Sequence, residues 1–239
     1  MWNYPPAQIL VPVDFGEASR RAVQVAGTLA RRFHAGLQAL HVEAVEAPAY
    51  FTHEQIAVLE RELRVARAAA DRHVSAFVGP LVDVPFSARV VDGAPATAIL
   101  EAVRSADLAV MGTHGRRGPS RWWLGSVAER VVSETPTPLL VVRAAGEDET
   151  VEAIFERPLV VAGSQFDDEA VRYAIGLAQA FGGEIAPGAA TCEADIARER
   201  HATLMVIPRQ SRAGYGFRES AERLLRNCRL PMLFVPGRG

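Results

Sequence analysis

Lysine is absent from this chain of 239 residues, and all 26 of its basic residues are arginine. The chain therefore has no lysine to bind phosphate in a P-loop, to form a Schiff base or to act as a general base. This absence excludes Walker-type NTPases, pyridoxal-dependent enzymes and protein kinases. The formal charge of −2 also gives no net positive field for nucleic acid or an anionic membrane, so we expect neither as a partner.

Cysteine and long apolar runs are also scarce. Cys192 and Cys228 are the only cysteines and form no C-x-x-C pair, which suits a reducing compartment and leaves a disulfide between them open. The first residues, MWNYPPAQILVPVD, have no basic start and no signal-like apolar core. No apolar run approaches the roughly 20 residues of a membrane helix, so we expect a cytoplasmic protein.

Short apolar segments alternate with segments of helical periodicity over the first part of the chain. The strands are predicted at 8–14, 37–42, 86–91, 107–111 and 138–142, and the helices at 17–33, 53–78, 95–105 and from Ser126 onward. Because the strands are apolar throughout, the pattern indicates a parallel sheet covered on both faces. A doubly wound open sheet is the simplest topology with right-handed crossovers.

The pattern then repeats after an acidic segment that is led by glycine. AVQVAGTLARRF resembles AVRYAIGLAQAF, and AERVVSETPTPLLVV resembles AERLLRNCRLPMLFV. We expect a first domain over 1–145, a linker over 146–156 and a second domain over 157–239. The second copy has roughly 90 residues against roughly 145, which makes it less able to fold alone. It lacks the region of the long helix and one neighbouring strand.

The loop GTHGRRGPSRWWLGS, residues 112–126, leaves the carboxyl end of the fourth strand. Ligands of open parallel sheets bind at that edge, and Asp14 follows the first strand there. Gly112 and Gly115 can let backbone N–H groups approach a ligand. Gly125 and Ser126 begin a helix whose unpaired N–H groups favour phosphate, and Ser126 with Glu129 has the spacing of a capping box. Asp14 suits ribose hydroxyls or an adenine amino group.

These motifs resemble the universal stress protein family in its tandem form. Four features match its pattern: PVD at the end of the first strand, HV at the end of the second, the spacing Gly-x2-Gly-x9-Gly-Ser and the following TPLLVVR. The resemblance implies a five-stranded sheet of order 3-2-1-4-5 and an ATP-binding branch, with ADP or AMP as alternatives and Mg²⁺ held through the phosphates. The nucleotide site that it implies consists of Pro12, Val13, Asp14, Val42, Met111, Gly112, His114, Gly115, Gly125, Ser126 and Val127.

The second copy departs from this pattern. Ser164 stands in place of Asp14, Pro208 in place of Gly112, and Arg218-Glu219 in place of Gly125-Ser126. A carboxylate at the phosphate position repels the ligand, so we expect no ATP in this half. The resemblance implies instead that 138–142 and 231–235 pair within the chain. The expected fold is two tandem doubly wound open parallel sheets, the second truncated, joined through their last strands as a pseudo-dimer.

The expected function is an adenine-nucleotide-binding regulatory protein of the stress response. No catalytic residue and no metal-ligand spacing among the histidines and cysteines is evident. A weak ATPase or phosphotransferase is one alternative, although the chain offers no convincing base. A nucleotide-independent interaction scaffold is the other. Association of two chains into a homodimer stays open.

Overall fold

The computed structural model describes residues 2–43, 68–113, 125–144, 150–161, 168–189, 194–209, 228 and 230–237. These residues form an α/β structure around one sheet of nine strands. In chain order the strands are β1 (Gln8–Pro12), β2 (Gly36–Glu43), β3 (Phe86–Asp92), β4 (Leu108–Gly112), β5 (Leu139–Val142), β6 (Pro158–Val161), β7 (Ala186–Ala189), β8 (Leu204–Arg209) and β9 (Met232–Pro236). All five strands predicted for the first half are therefore confirmed, with shifts of one or two residues at their ends.

The strand order is β3-β2-β1-β4-β5-β9-β8-β6-β7. The first five strands have the expected order 3-2-1-4-5 and pair in parallel. The resemblance to a known family implied this order, whereas the apolar strands and the helical segments between them indicated only that the strands are parallel, because parallel strands need crossover connections and covered faces.

The two halves meet through their last strands. β5 and β9 pair antiparallel, with Leu139, Leu140 and Val141 opposite Phe234, Leu233 and Met232. This confirms the predicted pairing within the chain. The two expected sheets are therefore continuous, and an edge that each half would otherwise leave open is paired with the other.

The second half contributes four strands in the order β9-β8-β6-β7, all parallel to one another. In the repeat, β9, β8, β6 and β7 are the counterparts of β5, β4, β1 and β2, respectively. No residue that the structure describes in this half forms a counterpart of β3, in agreement with the region missing from the repeat. β7 is therefore one outer strand of the sheet and β3 is the other.

The helices cover both faces of the sheet. They are α1 (Glu17–Phe33), α2 (described over 68–78), α3 (Pro95–Ala102), α4 (Ser126–Glu134), α5 (Asp168–Ala180) and α6 (Ala194–Glu199). One core cluster contains side chains of α1, α2 and α5, and the other contains side chains of α3, α4 and α6. Successive strand residues alternate between the two clusters, as Ile9 and Leu10 do. In the described parts of the chain, no helix is both long enough and apolar enough to span a membrane.

Two segments outside the repeat tie the halves together. In the N-terminal arm, Tyr4 packs between Phe33 of α1 and Tyr173 of α5, with ring centroids 5.8 and 4.5 Å away. Within the predicted linker, Glu152–Phe155 forms a 3-10 turn whose Ile154 and Phe155 are buried in the core. Both segments pack against the same core cluster as α1 and α5.

Candidate functional site

The sheet has a topological switch point between β1 and β4. From β1 the chain crosses through α1 to β2 on one side, whereas β4 lies on the other side of β1. The two connections therefore leave in opposite directions, which opens a crevice at the carboxyl ends of the two strands. This crevice is the candidate site. Asp14, which follows β1, and Gly112, which ends β4, both lie at its edge.

Asp14 lies in the turn that joins β1 to α1. Its Oδ1 accepts a hydrogen bond of 2.9 Å from the backbone N–H of Gly16, and its own N–H donates to Ser19 Oγ at 3.2 Å. Among the described residues nothing donates to the second carboxylate oxygen. The half-buried carboxylate is thus fixed in orientation and keeps one oxygen able to accept a hydrogen bond from a ligand.

Phe15 and His41 hold this turn; His41 belongs to the HV motif, but neither residue is part of the predicted site. Phe15 has a φ of 64°, a left-handed conformation that is costly for a residue with a side chain. Its ring packs against the rings of His41, His73 and Phe77 at centroid distances of 4.7, 4.5 and 5.4 Å. The Nδ1 atom of His41 lies 2.7 Å from the carbonyl oxygen of Val13, which can only accept, so Nδ1 carries the proton.

Gly112 ends β4 directly beneath α1. A Cβ atom at this position would lie 2.7 Å from the carbonyl carbon and 2.8 Å from the carbonyl oxygen of Ala18. Gly112 has no left-handed backbone, since Gly93 and Gly182 are the only described glycines with positive φ. Packing of the helix against the strand therefore explains this glycine without a ligand.

The amino terminus of α4 lies beside the end of β4. The N–H of Gly125 donates to the carbonyl oxygen of Thr113 at 3.0 Å, which fixes the start of the helix at the crevice. The predicted capping box is wrong: Gly125 is the N-cap, Ser126 is the first helical residue, and no side chain that the structure describes caps the helix. Its first N–H groups therefore have no capping partner among the described side chains, and the Ser126 side chain is exposed.

Gly125 differs from Gly112 in what the fold requires. Its φ of −66° is open to any residue, and an added Cβ would meet only the carbonyl oxygen of Thr113, at an ordinary 3.6 Å. Neither backbone conformation nor packing with the described residues demands a glycine here. A side chain would nevertheless stand at the open end of the helix, where it would obstruct a bound anion.

Apolar side chains lie beside the crevice at the same edge of the sheet. Val42, Met111 and Val127 belong to the core cluster on the α3 and α4 face, with Val42 and Val127 only partly buried. Met111 is 8% exposed, so its side chain is mainly core and its backbone is what a ligand could meet. Pro12 is buried at the end of β1, and Val13 packs into the opposite cluster below α1.

The rest of the predicted site lies outside the described residues. These site residues are His114 and Gly115. Ser164, Arg218 and Glu219, which replace site residues in the second copy, also lie outside the described residues. Pro208, which replaces Gly112 in the repeat, lies in β8 opposite Val235. The structure thus brings together nine of the eleven predicted residues, which lie along one edge of the sheet: Pro12, Val13, Asp14, Val42, Met111, Gly112, Gly125, Ser126 and Val127.

Comparison with known proteins gives consistent matches for the first half. The model of the universal stress protein family matches residues 7–143, more than half of the chain. A universal stress protein of Methanocaldococcus jannaschii is 33% identical over 142 residues, which are 57% of this chain and 81% of that protein. One of Thermus aquaticus is 36% identical over 138 residues, or 56% of this chain and 97% of that protein.

Both halves are covered by a structural match. The crystal structure of a universal stress protein from Archaeoglobus fulgidus superposes with a TM-score of 0.62 at 20% sequence identity. The superposition covers 97% of this chain and 96% of that one. At this identity the likeness concerns the fold alone, and it extends through the second half, which the family model does not reach.

Proposed function

The chain belongs to the universal stress protein family, and from this premise we propose that its first half, 1–145, is an adenine-nucleotide-binding regulatory domain. ATP is the ligand proposed first, with ADP and AMP as the alternatives. The second half, 157–239, completes the sheet and binds no ATP. The observation that carries the proposal is that Asp14 and the amino terminus of α4 lie at the carboxyl ends of two neighbouring strands, β1 and β4, at one switch point.

The amino terminus of α4 is proposed to receive the phosphates. Unpaired N–H groups and the positive end of the helix dipole favour an anion at this position. Ser126 adds a hydroxyl, and Gly125 leaves the approach open because it has no side chain. His114 and Gly115 precede this helix in the sequence and are proposed to line the phosphates and ribose. Mg²⁺ would be held mainly by phosphate oxygens and water.

The base and ribose are proposed to lie nearer β1 and β2. The available oxygen of Asp14 accepts hydrogen bonds only, which matches a ribose hydroxyl or the adenine amino group. Pro12 ends β1, Val13 follows it, and Val42 lies near the end of β2. These three residues are proposed to supply apolar contact. Charge-assisted hydrogen bonds of about 1.5–3 kcal/mol each would give roughly micromolar affinity once ordering costs are subtracted.

The proposal is tested by calorimetric titration of the full chain with ATP and Mg²⁺. Gly125→Glu is the informative variant, because the described fold accommodates a side chain there while a carboxylate would repel phosphate. Gly79→Glu is the matched control: Gly79 has open space around it and follows α2 at the opposite edge of the sheet. We expect micromolar binding by the natural chain and by Gly79→Glu, and a loss of at least about tenfold, or 1.4 kcal/mol, in Gly125→Glu.

Failure of the natural chain to bind ATP, ADP or AMP would contradict the proposal, and so would equal binding by both variants. The same samples separate the alternatives. Phosphate release above background that disappears in His114→Ala would favour slow hydrolysis. Dimerisation of the chain with no nucleotide bound would favour the interaction scaffold.

A further inference from the structure

A buried guanidinium connects the second half to the helix of the candidate site. Arg209 ends β8 and is 8% exposed. Its Nη1 donates to the carbonyl oxygens of Ser133 at 2.9 Å and Val132 at 3.2 Å, and its Nη2 donates to that of Thr135. These three acceptors are the last carbonyl groups of α4 and of its C-cap residue. A side chain of the second half thus caps a helix of the first.

The electrostatics of this contact are specific to a helix end. No carboxylate among the described residues pairs with Arg209, and burial lowers the pKa of its guanidinium. The carbonyl groups at the end of α4 carry the negative end of the helix dipole, and no N–H group within the helix donates to them. They therefore compensate the buried cation, and the planar fork of the guanidinium satisfies three of them together.

The topology explains why the second half can reach this point. Antiparallel pairing of β5 with β9 brings the start of β5, and with it the end of α4, to the carboxyl edge of the second half. Arg209 follows Pro208 just as Thr113 follows Gly112 in the first copy. The contact between the two halves thus lies at the carboxyl ends of the strands of the second half.

Fixing one end of α4 also fixes the other. The helix has nine residues and so is roughly 13 Å long, and its amino terminus is anchored by the bond from Gly125 to Thr113. We propose that Arg209 is a positioning residue by which the shortened second half holds α4, and hence its amino terminus, in place at the crevice. The consequence for affinity rests on the proposed nucleotide function. The consequence for the helix itself does not.

The test measures amide hydrogen exchange residue by residue in the nucleotide-free full chain. Arg209→Met removes the donors and keeps much of the volume, while Arg209→Lys keeps the charge without the fork. Arg157→Met is the control, since Arg157 also donates to a backbone carbonyl, that of Arg200 at 2.8 Å, but entirely within the second half. The reporting amides are those of Gly125 and Glu129, which are bonded at the far end of α4.

We expect the amides of Gly125 and Glu129 to exchange at least about tenfold faster in Arg209→Met, relative to the amides of β4. Arg209→Lys should fall between it and the natural chain, and Arg157→Met should leave this ratio unchanged. ATP affinity should weaken in the same order. Exchange that rises equally throughout the chain in Arg209→Met, or no change at Gly125 and Glu129, would overturn the proposal.

The two proposals fail separately. If the natural chain binds no ATP, the nucleotide function is contradicted, while the exchange ratios still decide the role of Arg209. If ATP binds and Arg209→Met leaves both affinity and α4 exchange unchanged, Arg209 is only a packing residue. Should Arg209→Met prove too unstable to purify, Arg209→Lys carries the same comparison with a smaller expected ratio.

Discussion

Gly112 lies so close to Ala18 that a Cβ atom on the glycine would be 2.7 Å from the carbonyl carbon of the alanine. The first glycine of the loop motif therefore belongs to the packing of α1 on β4. Gly125, by contrast, has ordinary space and an ordinary backbone conformation. One motif thus combines a glycine that the fold needs with a glycine that the described fold does not need.

This difference predicts opposite outcomes for the same substitution. Gly112→Ala should lower the free energy of unfolding by about 1–3 kcal/mol, because the contact is with backbone that cannot move aside easily. Gly125→Ala should change it by less than about 1 kcal/mol. Urea denaturation of both variants measures the two values. Equal destabilisation would show that the glycines do not divide in this way.

Much of the fold could be predicted because it depends on patterns that the chain repeats. The apolar runs of β1, β4 and β5 indicated buried parallel strands, and the second copy indicated their counterparts. Contacts between distant segments carry no such pattern. The packing of Tyr4 on α5, the cap that Arg209 places on α4 and the cluster around Phe15 each depend on three-dimensional proximity alone.

The site was predicted less completely for the same reason. Residue types located Asp14 and the start of α4, but spacing alone could not tell an N-cap from the first helical residue. The N-cap is Gly125 and not Ser126, and the predicted capping box is therefore wrong. Ala18 and Gly112 are also far apart in sequence, so their close approach could not be predicted. Gly112 was therefore assigned to ligand binding.

The hydroxyl of Tyr173 predicts a stabilising substitution. Tyr173 is fully buried beside Trp2 and Tyr4, and its hydroxyl has no hydrogen-bond partner among the described residues. Removing a buried polar group without a partner relieves its desolvation cost. Tyr173→Phe should therefore raise the free energy of unfolding by about 1 kcal/mol. Tyr4→Phe, at a half-buried ring, is the control and should gain less; a loss of stability in Tyr173→Phe would contradict the prediction.

The same aromatic cluster predicts the alkaline limit of stability. Burial raises the pKa of Tyr4 from 10.0 to about 12, and burial raises the pKa of Tyr173 well above its ordinary range. Between pH 10 and 12 the unfolded chain loses these protons while the folded chain keeps them. Stability is then fully present below pH 10 and falls as the pH rises from 10 toward 12. Since the chain has no lysine, tyrosine is the main group that titrates in this window.

Denaturation midpoints at successive pH values measure this fall. The slope should become shallower in Tyr4→Phe and in Tyr173→Phe. Cys228 contributes with the same sign from a lower pH, because burial raises the pKa of its thiol, so Cys228→Ala separates its contribution. A stability that stays constant up to pH 12 would contradict the assignment of protonated, buried tyrosines.

The seam between β5 and β9 predicts that the two halves unfold together. Leu140 and Leu233 face each other across this antiparallel pair and are each 1% exposed. Leu140→Ala should lower the free energy of unfolding by about 2–5 kcal/mol and keep a single transition. Ile175→Ala, at a side chain that is 38% exposed, is the control and should cost much less. Two separate transitions by calorimetry would show instead that each half is stable alone.

The carboxylate of Asp14 predicts which part of a nucleotide it recognises. In Asp14→Asn the amide oxygen can still accept from Gly16, so the turn is retained while the charge is lost. Loss of one charge-assisted hydrogen bond, about 1.5–3 kcal/mol, should weaken ATP binding by roughly tenfold or more.

If the partner is a ribose hydroxyl, 2′-deoxy-ATP or 3′-deoxy-ATP should bind the natural chain and Asp14→Asn equally. If the partner is the adenine amino group, inosine triphosphate should lose the advantage of the natural chain, because its position 6 carries an acceptor that the Asp14 carboxylate cannot bond and the amide of Asp14→Asn can. Equal affinity of the natural chain and Asp14→Asn for ATP would remove Asp14 from the site, because a charged acceptor in contact with the ligand cannot be lost without a measurable effect.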